Sequence, residues 1–248
     1  MGQYIEILGH PTWVHDDGGD LPALLLLHGG LTGSGNGFGP LPDLLRPHFR
    51  LVMFDRRGHG RTADTAEPFH YATMADETAA IIETLGLAPA SVVGYSDGGN
   101  LLLYLARRRP ELLASMVLLS ANYHFNAIEP EAAATIRRAL TANPAFAEGY
   151  AKYSPDGADH WPEVVAKGLR MALDEEPTFE PQDFGVITTP TLVLASDDDQ
   201  TRTGHASSMY EALPNAQLAI VPNTSHLLVF EKPTLVAQLI IDFVNHPQ

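Results

Sequence analysis

The stretch SVVGYSDGGN, residues 91–100, decides the fold that this sequence predicts. An apolar strand pattern, residues 91–95, runs directly into a helical pattern through Gly-x-Ser-x-Gly. A sharp strand-to-helix turn strains its middle residue, Ser96, and leaves little room for side chains two positions to either side. Gly94 and Gly98 meet that demand. The pattern therefore predicts that the Ser96 hydroxyl is exposed at the end of a strand, facing the N-terminus of a helix.

Short apolar runs lie on both sides of this stretch and alternate with longer amphipathic ones, the pattern of βαβ units in a mainly parallel sheet. The sequence predicts buried strands at Ala23–Leu27, Arg50–Phe54 and residues 91–95, 115–119, 191–195 and 217–221, and an edge hairpin at residues 4–8 and 12–15. Helices are predicted between them, at residues 73–85, 100–109, 204–213 and Pro233–Asn245. We therefore expect an α/β fold, a mostly parallel eight-stranded sheet with helices on both faces.

One segment, residues 123–185, interrupts the alternation. It contains two or three helical patterns and no convincing strand. Open α/β sheets bind ligands at the carboxyl ends of their strands, so a helical insertion between two strong strands is expected to cover that edge. The sequence thus predicts a core of residues 1–122 and 186–248 and a small helical cap of residues 123–185.

Composition argues against several classes of function. The chain has 248 residues and a net charge of −15, without a block of basic residues, so binding to nucleic acid or to an anionic membrane is not expected. It contains no cysteine, which excludes disulfides, thiolate nucleophiles and Cys-ligated metals. Residues 1–20 show no signal-peptide pattern, and no apolar run approaches the roughly 20 residues of a membrane helix. We expect a cytoplasmic protein, monomeric or homodimeric, that acts on a small molecule.

Several loops make the sequence resemble the α/β-hydrolase superfamily over nearly the whole chain. LHGG, residues 27–30, follows the first strong strand as the oxyanion loop does in that superfamily. FDRRGHGRT, residues 54–62, is similar to the superfamily's Asp-x-Arg-Gly-x-Gly-x-Ser loop, with Thr62 where serine is usual. The GYSDGG elbow with SAN at residues 120–122 resembles the biphenyl-hydrolase-like and valacyclovir-hydrolase-like esterases, which include hydrolases of amino-acid esters. The resemblance implies the α/β-hydrolase fold and a hydrolase without a cofactor.

The resemblance also implies a catalytic triad in the chain order Ser, Asp, His. A serine hydroxyl is a weak nucleophile at neutral pH and needs a base, which an acid must orient. SDDD, residues 196–199, resembles the family's Gly-x-x-Asp turn, and in that register Asp199 is the acid, with Asp197 as the alternative. PNTSH, residues 222–226, places His226 where the family has its catalytic histidine. Three successive carboxylates also suggest a cation site, but no further metal-ligand spacing accompanies them, and we expect no metal.

An oxyanion hole needs two backbone N–H donors aimed at the developing charge. The resemblance implies the N–H of Asp97 as one donor and that of Gly30 as the other, with Leu31 next in line. The Asp97 side chain has two interpretations: a carboxylate that faces the helix N-terminus, or a pocket group that attracts a cationic substrate. The residues that we predict to contact substrate are Leu31, His28, Asp97, Tyr123 and Trp161.

The leading functional prediction is a serine hydrolase of small-molecule carboxylic esters or lactones that acts through an acyl-enzyme. Hydrolysis of carbon–carbon bonds or of thioesters on the same fold is the alternative within the superfamily. A non-catalytic ligand receptor is the alternative from another class. Loss of a triad residue would favour the receptor, whereas Ser96, Asp199 and His226 fill all three positions with competent side chains.

Overall fold

A computed structural model describes residues 2–247 and contains an eight-stranded sheet. The strands are β1 Gly2–Ile7, β2 His10–Asp16, β3 Ala23–Leu27, β4 Arg50–Phe54, β5 Ala90–Tyr95, β6 Leu113–Leu119, β7 Thr191–Asp198 and β8 Ala216–Ser225. Their order in the sheet is β1-β2-β4-β3-β5-β6-β7-β8. The β1–β2 and β2–β4 pairs are antiparallel, and the other pairs are parallel. The predicted mostly parallel sheet is confirmed.

Helices cover both faces of the sheet. They are α1 Leu41–Leu45, α2 Tyr71–Thr84, α3 Asp97–Arg108, α4 Pro130–Ala142, α5 Pro144–Ala151, α6 Trp161–Arg170, α7 Thr203–Ala212, α8 Leu228–Glu231 and α9 Pro233–Asn245. Alternate residues of a strand point to opposite faces. Leu25 and Val92 therefore join one apolar layer with α2, α3 and α7, whereas Leu24 and Val93 join the other with α1, α8 and α9. Burial on both faces explains why these strands are continuously apolar in sequence.

The observed element bounds differ from the predicted ones mainly around tight turns. Helix α3 begins at Asp97, three residues earlier than predicted, because Ser96 alone makes the turn, with φ 53° and ψ −120°. The short helices α1 and α8 were not predicted, since four or five residues carry too little periodicity to be recognised. Their apolar side chains pack on the sheet, which stabilises helices that would not form in isolation.

The chain between β6 and β7 contains α4, α5 and α6, with short 3₁₀ and π turns. A buried ion pair fastens α6 to the loop that follows β4. Lys167 Nζ lies 2.7 Å from Asp64 Oδ2 and 2.6 Å from the carbonyl oxygen of Thr65, and His160 Nε2 lies 2.8 Å from the same Asp64 oxygen. Burial raises the pKa of Asp64, but the hydrogen bonds from Lys167 and His160 outweigh that effect and lower it overall.

We expect Lys167→Met to reduce the free energy of unfolding by about 3 kcal/mol, because it leaves the Asp64 carboxylate buried without its ammonium partner. Urea unfolding at pH 7 measures the loss. The lowered Asp64 pKa predicts that this stabilisation is present above the unfolded value of 3.8 and disappears as the pH falls through the folded value. Arg170→Met is the control: it removes an exposed ion pair with Glu175 and should cost less than about 1 kcal/mol. If the two variants lost the same free energy of unfolding, the buried ion pair would not stabilise the protein more than an exposed one does.

Candidate active site

The turn between β5 and α3 exposes Ser96 at the carboxyl edge of the sheet. Its φ of 53° lies in the left-handed region, which a non-glycine residue adopts only under strain. A Cβ atom at Gly94 would overlap the carbonyl of Gly98, and one at Gly98 would overlap the carbonyl of Leu27. Glycine at both positions lets strand and helix approach closely enough to form the turn. The Ser96 N–H donates to the Leu119 carbonyl at 2.8 Å, which ties the turn to β6.

A hydrogen-bonded chain joins three side chains that lie far apart in sequence. His226 Nε2 lies 3.1 Å from Ser96 Oγ, and His226 Nδ1 lies 2.8 Å from Asp199 Oδ1. Asp199 follows β7 and His226 follows β8, so the parallel strands deliver both to the same edge as Ser96. The Asp199 side chain is only 4% exposed. Burial raises its pKa, but the hydrogen bond and the charge of His226 outweigh burial and lower it overall.

The structure separates the two candidate acids. The carboxylate of Asp197 accepts the backbone N–H groups of Asn223 and Thr224, at 2.9 and 3.1 Å. It therefore holds the turn that precedes His226 rather than the imidazole itself. The structure brings Asp199, not Asp197, to the ring.

Three side chains whose contacts sequence reasoning did not predict, Tyr95, Ser196 and Glu231, hold the His226 loop. The Tyr95 hydroxyl donates to the His226 carbonyl at 2.8 Å, and its ring stacks on the imidazole with centroids 5.6 Å apart. The Ser196 hydroxyl donates to the Ser225 carbonyl at 2.5 Å. Glu231 accepts the Ser225 N–H at 2.7 Å. Ser196 occupies the glycine position of the Gly-x-x-Asp turn that residues 196–199 resemble, and that departure was the available signal.

A cavity of about 450 Å³ lies over Ser96 and His226. Its floor is the edge of the sheet, and α4, α5 and α6 contribute its walls. The lining is mainly apolar and includes Leu31, Ile128, Ile136, Leu140, Phe146, Leu169, Leu173 and Phe230. Among the described residues that line it, Asp97 is the one carboxylate, and no lysine or arginine is present. The cavity thus has room for a small molecule and offers it mainly apolar contacts.

Two of the predicted substrate contacts, Leu31 and Asp97, line this cavity. Leu31 has a φ of 54°, and its side chain faces Gly168 in α6. A Cβ atom at Gly168 would lie 3.0 Å from Leu31 Cδ2, so glycine in this helix makes room for the leucine. The contact joins α6 to the loop after β3.

The other three predicted substrate contacts, His28, Tyr123 and Trp161, are not among the residues that line the cavity. His28 is fully buried, and its Nδ1 lies 2.7 Å from the Gly29 carbonyl. The Tyr123 ring stacks on His205 with centroids 3.8 Å apart. The Trp161 indole N–H donates to a backbone carbonyl of α4 at 3.1 Å. The polar groups of all three residues thus have partners within the protein.

Asp97 belongs to a buried polar network beside the nucleophile. Its Oδ1 accepts the Tyr71 hydroxyl at 2.7 Å, and the Tyr71 oxygen accepts the Asn100 amide at 3.1 Å. Burial raises the pKa of Asp97, while the charge of Arg56 and the hydrogen bond from Tyr71 partly oppose that effect. The Oδ2 atom packs against Gly30, where a Cβ atom would overlap it. Glycine at this position therefore lets the loop after β3 lie directly over the Asp97 side chain.

The N–H groups of Gly30 and Asp97 are the two predicted donors of the oxyanion hole. Both residues line the cavity. Within the described residues 2–247, neither N–H donates to a backbone carbonyl. Across the same residues, no cluster of three or more histidines and carboxylates has the arrangement of a metal site, and no helix is long and apolar enough to span a membrane.

Comparison with known proteins identifies the family. Residues 22–159 match the family described as alpha/beta hydrolase fold, and the chain belongs to it. The chain is 32% identical over 258 residues to a protein assigned as the non-heme bromoperoxidase BpoC of Mycobacterium tuberculosis H37Rv, covering 92% of this chain and 96% of that one. It is 29% identical over 268 residues to a protein assigned as the carbamate hydrolase RutD of Caulobacter sp. K31, covering 98% and 96%.

The fold also matches solved structures. The serine hydrolase CarC, described as involved in carbazole degradation, superposes with a TM-score of 0.79 at 20% identity, over 99% of this chain and 98% of that one. This likeness shows a shared fold. Together with the family match, it makes the chain an α/β hydrolase.

Proposed function

We propose that this α/β hydrolase cleaves small carboxylic esters or lactones with Ser96 as nucleophile, His226 as base and Asp199 as orienting acid. The observation that carries the proposal is the hydrogen-bonded chain from Asp199 through His226 to Ser96, at the floor of an apolar cavity. This order of acid, base and nucleophile is the arrangement that activates a serine hydroxyl at neutral pH.

In the proposed reaction, Ser96 Oγ attacks the ester carbonyl carbon while His226 Nε2 takes the hydroxyl proton. The carbonyl oxygen becomes an oxyanion, which the N–H groups of Asp97 and Gly30 stabilise. The tetrahedral intermediate then collapses, and His226 returns the proton to the departing alkoxide. In the second half-reaction water, deprotonated by His226, attacks the acyl-enzyme. The acyl bond to Ser96 Oγ then breaks, His226 returns the proton to Ser96, and the carboxylic acid leaves.

Asp199 contributes by holding the imidazole rather than by taking the proton. Its Oδ1 accepts from Nδ1, which leaves Nε2 free to face Ser96, and its negative charge stabilises the imidazolium that forms. Its lowered pKa keeps it ionised throughout the neutral range.

The cavity supports an ester with a sizeable apolar group. Its volume of about 450 Å³ accommodates a small organic molecule, and its mainly apolar walls favour a substrate with a larger apolar group than a compact carbamate has. No lysine or arginine of the described chain lines it, so a substrate carboxylate would find no counter-ion. We propose residues 123–185 as the cap that encloses the substrate, since α4, α5 and α6 lie within them.

A substrate panel tests this function. It contains p-nitrophenyl butyrate, a neutral lactone, a thioester, an alkyl carbamate and a vinylogous diketone, each with a similar apolar group. We expect kcat/KM to be highest for the ester or the lactone. A fluorophosphonate probe should label the wild-type chain at Ser96. No labelling would support a non-catalytic receptor, and preference for the diketone would support carbon–carbon hydrolysis.

Asp97→Asn tests whether the cavity carboxylate selects cationic substrates. We expect the kcat/KM ratio between an α-amino ester and a neutral ester of equal size to fall about fivefold to a hundredfold, because the variant loses a charge-assisted contact. Asparagine preserves the oxygen that accepts from Tyr71 and the backbone N–H. An unchanged ratio would leave Asp97 as a carboxylate that serves the helix N-terminus alone.

A further inference from the structure

Arg56 is buried beneath the active site with no carboxylate partner. Its side chain is 1% exposed. Within the described residues 2–247, no carboxylate oxygen lies within 4.0 Å of its guanidinium, and Nε has no hydrogen-bond partner. Burial lowers the pKa of Arg56. The carboxylates of Asp97, Glu77 and Asp55 act on it only at longer range and raise that pKa less than burial lowers it. Burying an arginine without a direct ion pair is energetically costly, so its hydrogen bonds must offset that cost.

The guanidinium donates to the loop that follows β3. One terminal nitrogen lies 2.5 Å from the His28 carbonyl, and the other lies 3.0 Å from the Gly29 carbonyl. The Thr32 hydroxyl also donates to the Gly29 carbonyl, at 3.0 Å. A single backbone oxygen thus receives two donors, one of them charged.

His28 supplies a third donor to the same oxygen. Its Nε2 accepts the Arg56 backbone N–H at 3.2 Å, so the proton of the neutral ring sits on Nδ1. Burial lowers the pKa of His28 and the Arg56 charge lowers it further, which keeps the ring neutral. Nδ1 lies 2.7 Å from the Gly29 carbonyl and donates to it.

The donors on this carbonyl determine where the next N–H points. The peptide bond between Gly29 and Gly30 is trans, and in a trans peptide the C=O and the N–H point in opposite directions. Since the Gly29 oxygen faces Arg56 in the interior, the Gly30 N–H faces the other way. Gly29, Gly30 and Ser96 line the cavity on that side.

We propose that Arg56 is the positioning residue of the oxyanion hole. It holds the peptide between Gly29 and Gly30 so that the Gly30 N–H points at the oxyanion, and it places a positive charge behind that peptide. The inference rests on the proposed serine-hydrolase function, and it gives a role to the first arginine of the DRRG loop. Arg56 acts through the backbone and does not touch the substrate.

The test is Arg56→Met, with Arg57→Met as the matched control. Arg57 is the next residue of the same loop and is also buried, but it pairs with Glu77 at 3.5 Å and with Thr65 at 2.8 Å. We expect Arg56→Met to lower kcat for p-nitrophenyl butyrate about a hundredfold, the effect of losing one oxyanion donor, with KM changed less than about threefold. Arg57→Met should lower the melting temperature without a comparable loss of kcat.

Inhibitor binding separates positioning from general disruption. Ser96 Oγ adds to the carbonyl carbon of an alkyl trifluoromethyl ketone, His226 Nε2 takes the hydroxyl proton, and the hemiketal oxyanion lies in the hole. The matching alcohol, an alkyl trifluoromethyl carbinol, binds the cavity without forming an oxyanion. Arg56→Met should raise the inhibition constant of the ketone by about the same factor as it lowers kcat, and leave that of the alcohol unchanged. Equal weakening of both, or a kcat within threefold of wild type, would overturn the proposal.

A milder variant covers the case in which Arg56→Met does not fold. Thr32→Val removes one neutral donor from the Gly29 carbonyl and should weaken the ketone about threefold to tenfold relative to the alcohol. An unchanged ratio between the inhibition constants of the ketone and the alcohol would count against the proposal. A wild-type enzyme that neither binds the ketone nor reacts with a fluorophosphonate would refute the serine-hydrolase function itself, which is a distinguishable result.

Discussion

Ser96→Ala is expected to lower kcat for ester hydrolysis by about five to six powers of ten, the loss seen when a serine nucleophile is removed from a complete triad. Without the hydroxyl no acyl-enzyme forms, and only the oxyanion hole and substrate binding remain. The fold should persist, because Ser96 Oγ makes its hydrogen bond with His226 Nε2 and alanine preserves the backbone of the turn. Steady-state kinetics and the unfolding midpoint measure the two effects.

Ser115→Ala is the control for this experiment. It likewise removes one serine hydroxyl, but a buried one, which bonds Ser91 at 3.0 Å near the opposite end of β5 and β6. We expect it to retain wild-type kcat and fluorophosphonate labelling. If Ser96→Ala kept more than about a tenth of wild-type kcat, the turn between β5 and α3 would not carry the nucleophile.

Asp199→Asn is expected to lower kcat by about four powers of ten. The asparagine amide can present a donor to Nδ1 and so favour the tautomer in which Nε2 carries a proton and cannot accept one from Ser96. Because the carboxylate is buried and bonded to Nδ1 at 2.8 Å, solvent cannot replace it. The kcat of the purified variant on p-nitrophenyl butyrate measures the loss, and KM should change little.

The neighbouring carboxylates provide two controls. Asp198→Asn alters an exposed side chain and should leave kcat nearly unchanged. Asp197→Asn weakens the acceptor of two backbone N–H groups in the turn before His226. We expect it to lower kcat by no more than about tenfold. A greater loss for Asp197→Asn than for Asp199→Asn would move the acid by two residues and refute the observed register.

The sequence by itself determined the fold class and the position of the candidate nucleophile. Both depend on local constraints: the strand at residues 91–95 is continuously apolar because helices bury both faces of the sheet, and Gly94 and Gly98 are dictated by the overlap that any Cβ would cause. Loops that follow parallel strands meet at one edge of the sheet. That topology is why Asp199 and His226, far apart in sequence, were predicted beside Ser96 and lie there.

Only the tertiary structure decided which side chains face the cavity and what holds the loops in place. We predicted substrate contacts for His28, Tyr123 and Trp161. Each of them instead contacts a protein residue distant in sequence and lies outside the cavity lining. The role proposed for Arg56 could not be predicted from sequence either, because its side chain bonds carbonyls 28 and 27 residues earlier in the chain, in a neighbouring loop. Sequence patterns record the local conformations that a residue favours, whereas the direction of a side chain depends on long-range packing, which forms only when the strands assemble.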